Sequence, residues 1–131
     1  MSGNNEGGPD IINNKKTILW TMWVLIFALG CSTKEIPNHR VVHRNGLAYV
    51  GDDNTPVTGF IVKYYENGSI EERASFLDGR RDGLSQWFRP SGKLWMQANY
   101  KKGKKDGTRQ VFNASGEIAS SKEYVEGSLT P

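Results

Sequence analysis

The chain has 131 residues, 24% of them charged, and a net charge of +3, enough for one small domain. This mild basic excess lacks the concentrated basic face of a nucleic-acid binder, so no nucleic-acid partner is expected. The lone cysteine, Cys31, excludes an intrachain disulfide and a cysteine-based zinc site.

Residues 1–14 are polar, rich in Gly and Asn and without apolar periodicity, the composition of a disordered leader. Lys15 and Lys16 then precede an uncharged run from Thr17 to Gly30 that stops at Cys31. A basic start, an apolar stretch shorter than a membrane span and a small residue before a boundary are the parts of an export signal. Residues 15–30 are therefore expected as a signal peptide or membrane anchor helix. The end of the run, Phe27-Ala28-Leu29-Gly30-Cys31, resembles the lipobox of bacterial lipoproteins, with Ala28 at the position that usually holds leucine. That resemblance implies cleavage before Cys31, lipidation of its sulfur and a membrane-tethered protein in the bacterial cell envelope, facing the periplasm or the exterior. An uncleaved anchor is the competing reading. A buried core helix fits less well, because the run is apolar all round rather than on one face.

Residues 31–44 are polar, contain Pro37, and read as a linker. His39 and His43 would share a face if this stretch were helical, but no third ligand accompanies them, so neither a metal site nor any cofactor is expected. Leu47–Val50 reads as a first strand that caps one end of the following domain.

The domain, residues 45–127, is built on a 24-residue period. Gly59, Gly83 and Gly107 form one glycine series; Gly68, Gly92 and Gly116 a second; Gly79, Gly103 and Gly127 a third. Tyr64, Phe88 and Phe112 keep the same phase, as do Phe76, Tyr100 and Tyr124. Repetition in phase without a gap is the signature of a repeat architecture. Within each copy two β-rich runs flank a short turn, Glu66-Asn67-Gly68, Pro90-Ser91-Gly92 or Ala114-Ser115-Gly116. Such turns suit a type I geometry with glycine in the left-handed slot of a bulge. The expected fold is all-β: an extended single antiparallel sheet of consecutive hairpins, ending in a frayed tail at 128–131. An unpaired sheet edge would permit edge-to-edge self-association.

Strict alternation across a three-residue loop pairs Phe88 with Leu94, Trp87 with Trp95 and Gln86 with Met96. It places Leu84, Phe88, Leu94, Met96, Ala98 and Tyr100 on one packed face, with Phe60, Val62, Tyr64, Ile70, Ala74 and Phe76 as their counterparts one copy earlier. The opposite face differs between copies. Lys63 and Glu71 occupy the positions of Trp87 and Trp95 in the first hairpin, and Val111 and Ala119 occupy them in the third. Two tryptophans there either bind a partner or stack on one another under the flanking strands. The candidate binding residues are Trp87, Trp95, Arg89 and Gln97. The basic turn from Lys101 to Lys105 reads as a solvated turn.

The unit Gly-x4-Tyr/Phe-x3-Gly-x7-Tyr/Phe-x2-Gly, clearest at Tyr64-Tyr65-Glu66-Asn67-Gly68, resembles the MORN repeat. It is most similar to the bacterial variant of YwqK-like antitoxins, whose usual opening resembles Thr55-Pro56-Val57-Thr58-Gly59. The resemblance covers about Leu47 to Gly127. It implies an elongated antiparallel sheet used in the family for protein contacts and sometimes proposed for lipid contacts, without conserved chemistry. No nucleophile set, paired carboxylates in a cleft or phosphate loop stands in the repeats, so no enzymatic activity is expected. The function that follows is an envelope lipoprotein, held by Cys31, presenting a repeat sheet to a protein or glycan partner. The alternative is an antitoxin or immunity-type protein that neutralises a toxin.

Overall fold

The computed structural model describes residues 34–51 and 53–131. The expected leader, the apolar segment and Cys31 lie outside the described residues.

Ten short strands follow one another: β1 (Glu35–Pro37), β2 (Val41–Arg44), β3 (Leu47–Val50), β4 (Gly59–Tyr64), β5 (Ile70–Leu77), β6 (Arg80–Phe88), β7 (Leu94–Lys101), β8 (Lys104–Phe112), β9 (Ile118–Val125) and β10 (Ser128–Leu129). One 3-10 turn, Asn38–Arg40, links β1 to β2. Strands β4 to β9 lie side by side in chain order as three hairpins, so the repeat does build an extended antiparallel array. The sheet is nevertheless mixed, because β1 adds to β4 in parallel. Strands β2 and β3 form a separate two-stranded sheet.

Two turn chemistries alternate. At the first, Gly68, Gly92 and Gly116 donate to the carbonyls of Tyr65, Arg89 and Asn113 at 2.8–3.1 Å, closing the expected type I turns with a left-handed glycine. At the second, both residues have positive φ: 49° and 80° at Asp78-Gly79, 50° and 87° at Lys102-Gly103, 49° and 93° at Glu126-Gly127. This is the type I′ turn, whose twist matches that of the strands it joins. The 24-residue period is also the period of the bonds between hairpins. Gly79, Gly103 and Gly127 donate to Val57, Arg81 and Lys105, each at 2.8 Å. Along the other edge, Tyr65 donates to the Phe88 carbonyl at 2.8 Å, and Arg89 donates to that of Phe112 at 3.3 Å.

The structure corrects the expected register. Phe88 does oppose Leu94, but a bulge follows, so Trp87 opposes Met96 and Gln86 opposes Gln97. The same slip occurs between Lys63 and Tyr64, and between Val111 and Phe112. The extra residue is Glu71, Trp95 or Ala119, again one per period. Each bulge places two residues against one and reverses the in–out alternation beyond it. Leu94 and Met96 therefore lie on opposite faces, as do Tyr64 and Ala74.

One packed face does not recur through every copy. The buried cluster is Ile36, Ala48, Val57, Ile61, Ala74 and Phe76, with Val41 and Val50 against it. It sits at the N-terminal end of the sheet, where the β2–β3 pair packs against β1, β4 and β5. The expected linker is thus corrected over residues 35–44. Ile36, 3% exposed, is a core residue, and Val41–Arg44 pairs with β3. His39 stands in the 3-10 turn and His43 in β2, so the two do not share a helical face. By contrast Tyr64 and Leu84, expected in the core, are exposed.

Candidate functional site

Beyond the N-terminal cluster, the core-bearing face continues across β6 to β9 through the aligned row Ile61, Ala74, Ser85, Ala98, Arg109 and Lys122. Ala74, Ser85 and Ala98 are almost wholly buried. Small side chains there leave room for the larger ones beside them.

Those larger neighbours alternate aromatic and cationic groups across five strands: Phe76 on β5, Arg81 on β6, Tyr100 on β7, Lys105 on β8 and Tyr124 on β9. Register sets Phe76 opposite Arg81 and Tyr100 opposite Lys105. The Arg81 guanidinium carbon lies 5.5 Å from the Phe76 ring centre, 5.7 Å from that of Tyr100 and 5.6 Å from that of Trp87. The Lys105 ammonium lies 5.1 Å from the centre of Tyr124. These separations are within cation–π range.

Arg81 is the hub of the row. Its Nη2 lies 2.6 Å from Glu72 Oε1, an ion pair at a buried oxygen and outside hydrogen-bond alignment. Its Nη1 donates to Ser85 Oγ at 3.3 Å. Burial pushes the Tyr100 phenol above its ordinary value, while the nearby Arg81 charge pulls the other way. Gly83 lies opposite Tyr100 and Gly107 opposite Tyr124. A Cβ at Gly83 would stand 3.2 Å from Ser75 Oγ, on a backbone with φ of 91°, so glycine is required where the strand bends beneath the aromatic row.

The four candidate binding residues do not converge. Trp87 and Trp95 occupy the two sides of one bulge. In the first hairpin the side chains at these positions, Lys63 and Glu71, meet as an ion pair of 2.9 Å, so both positions project to the same side. Trp95 is 43% exposed, while Trp87 is half-buried beside Arg81. Gln97 lies on the opposite face and donates to Gln110 Oε1 at 2.9 Å. Arg89 sits at a turn, where its guanidinium holds the Phe112 carbonyl of the next hairpin. The first two residues form a surface with Met96 and Val111; the other two serve the framework.

Sequence reasoning missed Arg81, Glu72 and Ser85. A signal was present, because Arg81 and Lys105 are 24 residues apart and each follows an aromatic by five residues. Among the described residues no three His, Cys, Asp or Glu side chains gather as metal ligands.

No curated protein and no solved structure matches the chain. The family described as the MORN repeat variant matches at residues 62–78 and 81–102. Those segments run from β4 through β7 and hold Glu72, Phe76, Arg81, Trp87, Trp95 and Tyr100. The third hairpin keeps the same spacing, turns and bulge. Residues 62–102 of this protein therefore carry a MORN repeat variant, and the aromatic–cationic row is assembled on it.

Proposed function

We propose that the protein is a non-enzymatic binding platform, tethered to a membrane through Cys31 and displaying its repeat sheet in the bacterial envelope. The partner, a protein or a glycan, docks on the side of the sheet carrying Trp87, Trp95, Met96 and Val111. The observation that carries this reading is the exposure of Trp95 beside Trp87, at positions filled by an ion pair in the first hairpin and by small apolar side chains in the third. The repeat geometry tolerates all three pairs, so the tryptophans are not needed to form the hairpin. Aromatic residues at such a patch supply much of the energy of recognition. The C-terminal edge of the sheet, where the short β10 pairs with β9 only at Tyr124 and Val125, supports self-association as a second mode of contact.

The test is capture of envelope partners by the full chain in non-ionic detergent. Trp87→Ala/Trp95→Ala is expected to reduce capture by roughly thirtyfold or more, since even one hot-spot tryptophan contributes about 2 kcal/mol or more. Undiminished capture by a variant that keeps the native β-sheet circular dichroism refutes the docking surface.

A further inference from the structure

The edge of the sheet carrying the type I′ turns has a charge pattern that the fold does not call for. Lys101 and Lys104 lie directly opposite one another across the Lys102-Gly103 turn. Like charges at such a pair work against the hairpin. The equivalent pairs in the flanking hairpins are Leu77 with Arg80 and Val125 with Ser128. Lys102 itself holds φ of 50°, a left-handed position that favours Asn or Asp and that Asp78 occupies in the preceding turn. Glu126 holds the same conformation in the following turn, so both flanking turns carry an acid where this one carries Lys102, and the opposed Lys101–Lys104 pair marks it as a functional site rather than a solvated turn.

Two adjoining clefts flank this turn. One, of about 340 Å³, is lined by His43, Arg80, Arg81, Lys102 and Lys104 and by no carboxylate. The other, of about 450 Å³, shares Arg80, Lys102 and Lys104 and adds Lys101, but it ends on Asp106 and Glu126. Arg81 is neutralised by Glu72, whereas among the described residues Arg80, Lys101, Lys102 and Lys104 make no ion pair. The result is a trough running across the hairpins, basic through its middle and acidic at its C-terminal end.

We propose that this trough binds an extended acidic segment of a partner protein, with a basic residue of that segment seated against Asp106 and Glu126. The repeat geometry gives the spacing. Arg80 and Lys104 hold equivalent positions on successive hairpins, two strands apart, about 9.6 Å, close to three residues of extended chain at about 3.3 Å each. Carboxylates three residues apart therefore meet these two cations, with Lys101 and Lys102 between them and the acidic end. An elongated ligand fits two clefts that share their walls, and the change of sign along the trough gives that ligand a direction.

The experiment uses the full chain in non-ionic detergent and measures the fluorescence anisotropy of synthetic peptides with glutamate at every third position, with or without a lysine at one end. Binding at low ionic strength, weakened by added salt, is expected, with preference for one of the lysine-ended peptides. Lys102→Asn/Lys104→Gln is expected to weaken binding about tenfold, as two exposed ion pairs are lost; the Asn suits the left-handed turn, so folding is preserved. Asp106→Asn/Glu126→Gln is expected to remove the preference for the lysine end alone. Trp95→Ala should leave peptide binding unchanged, because Trp95 lines neither cleft. The proposal is overturned by absence of peptide binding, or by binding indifferent to the lysine substitutions. Displacement by short-chain phosphatidylglycerol at lower concentration than by unlabelled peptide overturns it in favour of a lipid headgroup.

Discussion

Arg81 shows how one residue organises a surface. A guanidinium that meets three aromatic rings, a carboxylate and a hydroxyl is fixed in place, and the rings are fixed with it. Tyr100 carries a testable consequence. Its phenol titrates above the ordinary 10.0, chiefly because burial disfavours the charged phenolate. A raised folded pKa means that the folded state holds its proton longer than the unfolded state does. The associated stability is complete below the unfolded value and is lost as pH rises through the folded one. Tyr100→Phe keeps the ring over Gly83 but removes the ionising group. Urea denaturation at rising pH should show a shallower alkaline decline in this variant than in the parent protein; identical slopes would remove Tyr100 from the account.

At the scale of elements, the N-terminal strands close one end of the repeat. β4 would otherwise present a bare edge, and such edges are a liability unless covered. β1 covers it, and the approach is tight: the Phe60 amide donates to the Lys34 carbonyl at 2.9 Å, and a Cβ on Gly59 would stand 2.5 Å from that oxygen. Ile36 fills the core beneath. Ile36→Ala should cost about 2–4 kcal/mol, the usual range for truncating a buried aliphatic side chain, measured as a fall in the denaturation midpoint. A loss below about 0.5 kcal/mol, the range of surface substitutions, would show that the segment is dispensable. β1 was hard to read from sequence because three residues give no periodicity. Its partner β4 is a parallel neighbour far along the chain, so no turn signal announces the pairing. The hairpins were legible because each strand is followed at once by its own turn chemistry and its own partner.

Across the described residues the sheet is asymmetric along the repeat axis. One end of the sheet face is closed by the hydrophobic cluster, and the rest carries the aromatic–cationic row and the tryptophan patch. The three hairpins share a backbone plan while their side chains assign them different tasks: the first supplies core, and the second supplies the tryptophans. The turns flanking the second, Asp78-Gly79 and Lys102-Gly103, border the basic part of the trough. Tethering the platform through Cys31 predicts that a fatty-acid label is incorporated into the full chain and lost in Cys31→Ala. Equal labelling of the two would exclude lipidation at this residue, and no label in either would favour an uncleaved anchor.

By itself the sequence determined the period, the turns and the succession of hairpins. These depend on local chemistry: glycine where φ must be positive, proline where it is preset, and apolar residues at alternating positions. Only the tertiary structure decided which residues share a face. A single bulge residue, Glu71, Trp95 or Ala119, reverses the alternation in each hairpin, and no side chain announces it. The tertiary structure also decided that the core would gather at one end, since Ile36 and Val57 reach it through contacts distant in sequence. The same contacts leave the continuation of that face across β6 to β9 for Arg81 and its aromatic neighbours.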